Sequence, residues 1–257
     1  MPATVAVIPC FDEALRLDLT ALRTLAQSVP LLCVDDGSTD GTLEILRRLG
    51  DEVPAIEVLA LPENVGKAEA VRQGLLTAIG SGAELVAYYD ADLSTPPEEL
   101  ARLVETLTAR DDLHVVMAAR VALLGRHIER RARRHYLGRV FATFASLSLD
   151  LPVYDTQCGA KVFRVTPSLH SALGRPFRSR WSFDVELLSR LLFPEGPVEP
   201  TPLEAVIEVP LRSWKDVSGS KLGPYDMVKA ALDLGRVARE TRRRPSWRTA
   251  HGADQSD

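Results

Sequence analysis

Two aspartates separated by one alanine follow an apolar run in the first half of the chain. Asp90 and Asp92 come directly after ELVAYY at 84–89, which has the composition of a buried β-strand. Residues two apart on a strand point to the same side, so both carboxylates would face one cation. Mg²⁺ binds oxygen ligands, typically one or two carboxylates with phosphate oxygens of a substrate. The pair indicates a divalent-metal site; the alternative is a turn that begins at Asp92, with Asp90 in solvent.

A second acidic pair, Asp35 and Asp36, ends another apolar run and leads into GSTDGT at 37–42. The glycines permit a tight turn, and the hydroxyl and carboxylate side chains suit the cap of a following helix. One acid is enough for such a turn. The other is left to accept a hydrogen bond from a ligand, such as a nucleobase N–H or a ribose hydroxyl.

Two further polar clusters stand at the ends of predicted strands. Asp12 and Glu13 follow the first strand within PCFDE. The segment NVGK at 64–67 precedes a helix and offers an ammonium group and helix-end amides to a phosphate. Together, polar clusters at the ends of successive strands of one sheet form a candidate ligand site.

Short β-rich runs alternate with helical periodicity through the first 120 residues. This alternation predicts a parallel sheet covered by helices on both faces. In such sheets ligands bind beyond the carboxyl ends of the strands. The predicted strands span 4–9, 30–35, 55–61, 84–89 and 113–119, and the predicted helices span 14–28, 40–50, 65–80 and 97–110.

The character of the chain changes after residue 120. Residues 120–139 contain seven arginines and two histidines but one acid, and an apolar stretch follows at 137–149. The basic residues indicate either contacts with phosphate or lipid headgroups or a solvated helix face, and the apolar stretch lies either in a membrane interface or in the core. Beyond it we predict a polar loop at 154–159, strands at 161–165 and 205–211, helices at 183–193 and 229–239, and a disordered tail.

Composition and charge disfavour several protein classes. The 257 residues are 46% hydrophobic and 26% charged, as in globular proteins, and a net charge of −4 disfavours a nucleic-acid-binding protein. The widely spaced Cys10, Cys33 and Cys158 disfavour a disulfide framework or a zinc site. No apolar run is long enough to span a bilayer. We therefore expect a cytoplasmic protein whose membrane contact is at most peripheral, through residues 120–149.

Six motifs together resemble the family 2 inverting glycosyltransferases, which have the GT-A fold. PCFDE, VDDGSTDGT and Asp90-Ala91-Asp92 are similar to the family's first-strand, second-strand and Asp-x-Asp motifs. DTQCGAKVF at 155–163, RWSFDVELL at 180–188 and SWKDVSGSKL at 213–222 are similar to segments of dolichyl-phosphate β-glucosyltransferases and bacterial polyprenyl-phosphate glycosyltransferases. The resemblance extends over residues 3–240 and implies an α/β fold with a Rossmann-like, mostly parallel sheet. It implies one catalytic domain with a donor-binding half at 1–120, an acceptor-binding half at 121–240 and a disordered tail at 241–257.

The resemblance implies a nucleotide-sugar site at the strand ends of the first half. It places a UDP-glucose donor there and Mg²⁺ or Mn²⁺ on Asp90 and Asp92, where the metal neutralises charge on the departing nucleotide. The implied donor-binding residues are Pro9, Phe11, Glu13, Asp35, Asp36, Asn64, Lys67, Asp90, Ala91 and Asp92.

The resemblance also implies an acceptor side with two catalytic residues, Asp184 and Asp155. Asp184 would be the general base for a hydroxyl acceptor, or would position the sugar for a phosphate acceptor, and the same residue suits the start of a helix. The loop that holds Asp155 also contains Lys161 and is expected to line the sugar or acceptor pocket. The implied acceptor or phosphate ligands are Arg120, Arg131, Arg134, Gln157 and Lys221.

These implications give a first function and an alternative. The first is transfer of a hexose, with glucose from UDP-glucose expected, to a polyprenyl or dolichyl phosphate. The alternative is the same donor chemistry onto a hydroxyl of a soluble metabolite or natural product. A third possibility, a nucleotidyltransferase, would need a glycine-rich triphosphate loop, which PCFDEALR at 9–16 does not resemble. A fourth, a non-enzymatic nucleotide-binding module, would bind the ligand without turnover.

Overall fold

The computed structural model describes residues 3–129, 150–179, 182–215, 224–244 and 246–247, together with Thr143 and Ser146. The strands are β1 (Thr4–Cys10), β2 (Leu31–Asp35), β3 (Ile56–Ala60), β4 (Leu85–Tyr89), β5 (Val115–Ala119), β6 (His127–Glu129), β7 (Ala160–Arg164), β8 (Val206–Pro210) and β9 (Ser213–Lys215). The helices are α1 (Leu19–Ser28), α2 (Thr42–Glu52), α3 (Lys67–Gly80), α4 (Pro97–Thr108), α5 (Pro167–Leu173), α6 (Phe183–Leu192) and α7 (Pro224–Thr241), with a 3₁₀ turn at Leu203–Ala205.

A seven-stranded sheet in the order β3-β2-β1-β4-β7-β5-β8 forms the centre of the molecule. Neighbouring strands are parallel except at β7, which is antiparallel to both β4 and β5. The predicted mostly parallel α/β sheet is therefore confirmed. The chain fills the sheet from β1 outward to β3 and then returns to place β4 on the other side of β1, which creates a switch point where ligands bind. A separate pair, β6 and β9, forms a small parallel ribbon.

Helices cover both faces of the sheet, as the alternating pattern predicted. Helices α3, α5, α6 and α7 pack on one face, and α1, α2 and α4 pack on the other. Residues of β2, β4 and β5 are buried throughout, which explains their near-continuous apolar sequences. Gly74 lets α3 approach the sheet closely, because a Cβ there would lie 2.4 Å from Val7 Cγ1.

The structure corrects the bounds of two predicted helices. The first helix begins at Leu19 rather than at residue 14, because Asp18 is its N-cap and accepts a hydrogen bond from Ala21 N at 2.9 Å. The last helix spans Pro224–Thr241 rather than 229–239. Helix α5 was not predicted, although the cap Thr166 and the proline after it are a helix-start signal.

Residues 241–244 of the predicted disordered tail at 241–257 are ordered. Thr241 and Arg244 are buried, and Arg244 Nη1 donates to the carbonyl oxygen of Phe193 at 2.9 Å. Residues 248–257 and most of the apolar stretch at 137–149 lie outside the described residues. Within the part of the chain that the structure describes, no helix has the length and apolar character needed to cross a bilayer.

Candidate active site

The loops that follow β1 and β2 are tied together at the carboxyl edge of the sheet. Asp12, in a left-handed conformation (φ +48°), accepts a hydrogen bond from Thr39 N at 2.8 Å. Glu13 N donates to Thr42 Oγ1 at 2.8 Å, and the Glu13 carboxylate pairs with Arg16. Pro9 and Phe11 are half-buried beside them. The first motif thus forms part of this edge, as expected from PCFDE.

Asp36 fastens the loop after β3 to the same edge. Its buried carboxylate accepts hydrogen bonds from Val65 N at 2.8 Å and Gly66 N at 2.9 Å, and Asn64 Nδ2 donates to its carbonyl oxygen at 3.3 Å. Two backbone amides of this loop are therefore bound by Asp36, and a phosphate contact of the amides at the start of α3 stays a prediction.

Gly37 permits the close approach of these two loops. It has φ +63°, and a Cβ on it would lie 2.3 Å from the carbonyl carbon of Glu63. Because a side chain here meets backbone rather than a movable side chain, this position requires glycine. The turn of the second motif is thus built for loop contact. The predicted side-chain cap of the following helix is wrong, because the N-cap of α2 is Gly41, with no side-chain cap hydrogen bond.

Asp35 carries a carboxylate oxygen without a partner. The residue is 1% exposed; its Oδ2 accepts a hydrogen bond from Ser38 N at 3.2 Å, and its Oδ1 is buried without a donor among the described residues. A buried acceptor without a partner costs about 1–3 kcal/mol. Of the two acids in the pair, Asp35 is therefore the one with an acceptor left for a ligand.

The Asp90-Ala91-Asp92 motif forms a turn after β4 rather than part of the strand, which ends at Tyr89. Strand alternation therefore does not align the two carboxylates. Ala91 between them is buried, the Asp90 side chain is 31% exposed, and Asp92 is exposed to solvent. Asp92 Oδ1 accepts a hydrogen bond from Ser94 N at 3.0 Å, which is the turn alternative of the sequence. The turn and a metal site are compatible, since each carboxylate has a second oxygen.

Lys67 binds Asp90 in the structure. Its Nζ lies 2.5 Å from Asp90 Oδ1. Burial alone would lower the pKa of Lys67, but the neighbouring carboxylate of Asp90 raises it above its ordinary value, so the lysine remains charged. The structure thus brings together two residues that the sequence assigned to the donor site.

The residues at this edge fit a divalent metal that completes its coordination with substrate oxygens. Asp90 and Asp92 supply two carboxylates at a solvent-accessible edge, and Mg²⁺ commonly uses one or two. Over the described ranges, no group of three or more His, Cys, Asp or Glu side chains is placed to hold a metal. A metal at this edge would therefore depend on oxygens of the donor or of water.

The loop before β7 packs directly on the Asp90 turn. Asp90 N donates to the carbonyl oxygen of Gly159 at 2.9 Å, and a Cβ on Gly159 would lie 2.1 Å from Asp90 Cγ. Gln157 lies half-buried in the same loop. The DTQCG loop therefore borders Asp90, and its expected role in lining the sugar or acceptor pocket stays a prediction.

A buried cluster of Tyr88, Lys161 and Asp184 lies beneath this edge. Lys161 Nζ lies 2.6 Å from Asp184 Oδ1, the Tyr88 hydroxyl donates to the same oxygen, and the Lys161 side chain is 2% exposed. Both lysines contact the Tyr88 ring, whose centroid lies 4.8 Å from Lys161 Nζ and 5.8 Å from Lys67 Nζ. Burial, followed by the charge of Asp184, raises the pKa of Tyr88. The cluster therefore connects Asp184 to the donor edge.

Sequence reasoning did not single out Tyr88. Its place near the end of the apolar run ELVAYY was a signal, because a buried tyrosine hydroxyl needs a polar partner. The predicted helix start at Asp184 is confirmed, since Asp184 lies in the first turn of α6.

Arg120 and Asp155 bind each other. The Asp155 carboxylate accepts hydrogen bonds from Arg120 N at 2.9 Å, Nε at 2.7 Å and Nη2 at 2.7 Å, and the guanidinium also stands over the Trp214 ring at 5.4 Å. Burial would lower the pKa of Arg120, but Asp155 raises it. This pairing is structural, so a catalytic role for Asp155 and a phosphate contact for Arg120 stay predictions.

Glu208 is a half-buried acid that the sequence reasoning missed. Its carboxylate accepts hydrogen bonds from Tyr154 N and Asp155 N, each at 2.7 Å, and burial raises its pKa. The signal was available, because an acid inside the apolar strand AVIEVPL is unusual. Glu208 holds the DTQCG loop against β8.

Three predicted acceptor residues, Arg131, Arg134 and Lys221, lie outside the described residues. The three cysteines are buried, and none of them forms a disulfide. Burial raises the pKa of the Cys33 and Cys158 thiols to about 12 and that of Cys10 well above its ordinary value. None of them is a nucleophile at neutral pH.

The chain matches the model of Glycosyl transferase family 2 over residues 5–169. It is 32% identical over 256 residues to dolichyl-phosphate beta-glucosyltransferase ALG5C of Trichomonas vaginalis, covering 91% of this chain and 70% of the relative. It is 28% identical over 260 residues to the dolichyl-phosphate beta-glucosyltransferase of Dictyostelium discoideum, covering 90% and 72%. The human dolichyl-phosphate beta-glucosyltransferase is 31% identical over 232 residues, covering 83% and 64%.

Solved structures confirm the fold. TarS 1–349 of S. aureus in complex with UDP has a TM-score of 0.59 at 14% identity, covering 94% of this chain and 66% of that chain. The mannosyltransferase PcManGT from Pyrobaculum calidifontis, in complex with GDP-Man and Mn²⁺, has a TM-score of 0.53 at 18% identity, covering 100% and 76%. At these identities the similarity shows the GT-A fold alone. By its family match and its relatives, the chain is a glycosyltransferase that belongs to glycosyl transferase family 2.

Proposed function

We propose that this protein transfers glucose from UDP-glucose to a polyprenyl phosphate. The proposed reaction depends on Mg²⁺ or Mn²⁺ and inverts the configuration at the anomeric carbon of the sugar. The observation that carries the proposal is the arrangement of Lys67, Asp90 and Asp184 around Tyr88 at the carboxyl edge of the sheet. The named activity of the relatives supports the acceptor, because dolichyl-phosphate beta-glucosyltransferases align with 83% or more of the chain.

The donor half of the site suits a nucleoside diphosphate sugar. Asp35 Oδ1 at the end of β2 offers a buried acceptor to a nucleobase N–H. Asp90 and Asp92 lie at the end of β4, two strands along the same edge, where ligands can reach them. A divalent metal bound by these two residues supplies Lewis-acid stabilisation of the leaving diphosphate. Lys67 adds a positive charge beside the same position.

The acceptor half suits a nucleophile that is already an anion. Asp184 Oδ1 already accepts hydrogen bonds from Lys161 and Tyr88. A phosphate acceptor is ionised at neutral pH and needs no general base, so Asp184 can serve to position groups instead of removing a proton. With a lipid phosphate as acceptor, we expect the enzyme to act at the cytoplasmic face of a membrane, as a peripheral protein.

A transfer assay tests the proposal. The purified protein is incubated with UDP-[¹⁴C]glucose, MnCl₂ and undecaprenyl phosphate, and we expect radioactivity in the organic phase as a mild-acid-labile glucolipid. Undecaprenol, which lacks the phosphate, is the matched control and should give no product. Turnover on soluble alcohols, without any product from prenyl phosphates, would favour the hydroxyl-acceptor alternative. A donor screen of nucleotides and sugars identifies the preferred donor.

Asp184→Asn tests the role of the carboxylate. A general base contributes about 10²–10⁴-fold to the rate, so with a phosphate acceptor we expect a loss of less than about 100-fold and little dependence on pH. A larger loss, with a rate that rises with pH in the wild type, would assign Asp184 as a base. Because Lys161 loses its buried counter-ion in this variant, thermal unfolding is measured alongside the rate.

A further inference from the structure

The ion pair between Lys67 and Asp90 uses a carboxylate that the proposed metal also needs. The Lys67 and Asp90 side chains are 33% and 31% exposed, so solvent and ligands reach both. Asp184 and Asp92 also act electrostatically on the lysine. An ammonium group and a divalent cation cannot share one carboxylate oxygen, because like charges at contact distance repel. A metal on the second oxygen of Asp90 would still lie close to the ammonium group, so each cation weakens the binding of the other at this carboxylate.

Asp90 has little freedom to move between two cations. Its backbone N–H is bound by the carbonyl oxygen of Gly159, and the Cα of Gly159 lies directly against its carboxyl group. Lys67 is the first residue of α3 and follows Gly66 (φ +92°), and its charge lies at the end of four methylene groups. The lysine is therefore the partner that moves.

We propose that Lys67 is an internal cation that holds Asp90 in the empty enzyme and moves onto the donor's diphosphate when the metal binds Asp90. The exchange rests on the proposed function, because it needs a diphosphate and a metal at this edge. Metal that binds alone competes with Lys67 for Asp90, which among the described residues is the anion at hydrogen-bond distance from the lysine. Metal that binds with the diphosphate gives Lys67 a new anion, so the two ligands strengthen each other's binding.

Mn²⁺ binding measured by electron paramagnetic resonance, with and without saturating UDP, tests this exchange. Without UDP, Lys67→Met should bind Mn²⁺ about tenfold more tightly than the wild type, because no ammonium has to be displaced. With UDP bound, the variant should bind Mn²⁺ no more tightly than the wild type, and its affinity for UDP in the presence of Mn²⁺ should fall about tenfold. The sign of the effect therefore depends on whether the diphosphate is present.

Two variants serve as controls. Lys67→Arg keeps the positive charge and should retain the weaker binding of Mn²⁺ alone. Arg23→Met removes a cation from an exposed ion pair with Glu52 and should leave both affinities unchanged. Circular dichroism establishes that each variant is folded before the affinities are compared.

Two results would overturn the exchange and leave the proposed function intact. Equal tightening by Lys67→Met with and without UDP would mean that Lys67 only contributes static charge, and an unchanged Mn²⁺ affinity would mean that Lys67 does not compete with the metal. A wild-type protein that binds neither UDP nor Mn²⁺ would instead refute the proposed function and the exchange together.

Discussion

The proposed donor half and the proposed acceptor half of the site are held together by different kinds of interaction. In the donor half, carboxylates such as Asp12 and Asp36 accept hydrogen bonds from backbone N–H groups of neighbouring loops. In the acceptor half, buried charges face each other, as in Lys161 with Asp184 and Arg120 with Asp155. The donor half is therefore shaped mainly by backbone geometry, and the acceptor half by charge balance.

This difference predicts different responses to mutation. A carboxylate bound by backbone amides leaves behind neutral groups when it is removed, whereas one member of a buried ion pair leaves behind an uncompensated charge. Removing charge in the acceptor half should therefore cost stability. In the donor half, function should depend on the charge of Asp90, and stability on the shape of the loops.

The largest effect is expected for Asp90→Asn. The substitution removes the charge that binds Lys67 and the proposed metal, so we expect kcat/KM to fall at least about 1,000-fold with a small change in the free energy of unfolding. Initial rates with UDP-glucose and urea unfolding measure the two quantities. Asp112→Asn, in an exposed pair with Arg110, is the control and should change neither. Near-normal activity of Asp90→Asn would mean that the donor half does not work through this carboxylate.

A smaller effect, on stability, is expected for Arg120→Gln in the acceptor half. The change leaves the buried Asp155 without its counter-ion, and we expect a loss of about 3 kcal/mol in the free energy of unfolding. Arg120→Gln with Asp155→Asn should recover part of that loss in a double-mutant cycle, measured by urea denaturation. Purely additive losses would show that the two halves do not differ in this way.

Next in size is Gly37→Ala, which tests whether backbone shape controls the donor half. Gly37 and Gly82 both have positive φ, but a Cβ on Gly37 meets Glu63 whereas a Cβ on Gly82 meets open space. We expect Gly82→Ala to cost about 1 kcal/mol from strain alone, and Gly37→Ala to cost about 2 kcal/mol or more and to raise the KM for the donor. Equal losses of stability in the two variants would mean that the contact of Gly37 with the loop at Glu63 contributes nothing.

The smallest effect concerns Glu208 and pH. Burial raises the pKa of Glu208 in the folded protein above its ordinary value of 4.5, so its stabilising contribution is complete below that value and decreases as pH rises through the folded pKa. The wild-type free energy of unfolding, relative to Glu208→Gln, should therefore decline from about pH 4.5 upward. Urea titrations between pH 4 and 7 measure it. A relative stability that increases over this range would contradict the assignment, and Glu204→Gln, at a nearby exposed acid, is the matched control.

Local patterns predicted most of the framework. The strands β1 to β5 and the helices between them follow from apolar runs and caps that lie close together in the sequence. The polar strand ends gave the position of the site because parallel strands bring their carboxyl ends to one edge. The place of β7 between β4 and β5 was not predictable in this way, because it depends on pairing between residues far apart in the chain.

Partners of individual side chains were harder to predict. Asp155 and Asp184 were recognised as unusual, but their contacts with Arg120 and Lys161 join segments that are 35 and 23 residues apart. Which of two adjacent acids binds backbone amides, as Asp36 does, depends on the loop conformation that Gly37 permits. Spacing identifies which residues carry chemistry, and tertiary contact determines which of them are already occupied.

The burial of all three cysteines gives the protein a built-in reporter of opening. Cys10 and Cys33 belong to β1 and β2, and Cys158 lies in the loop beside Asp90. A thiol reagent can modify them only when these segments separate from their neighbours, so the modification rate measures how often each opens. If a nucleotide sugar slows the modification of Cys158 more than that of Cys33, the difference would report ordering of the acceptor half without any engineered label.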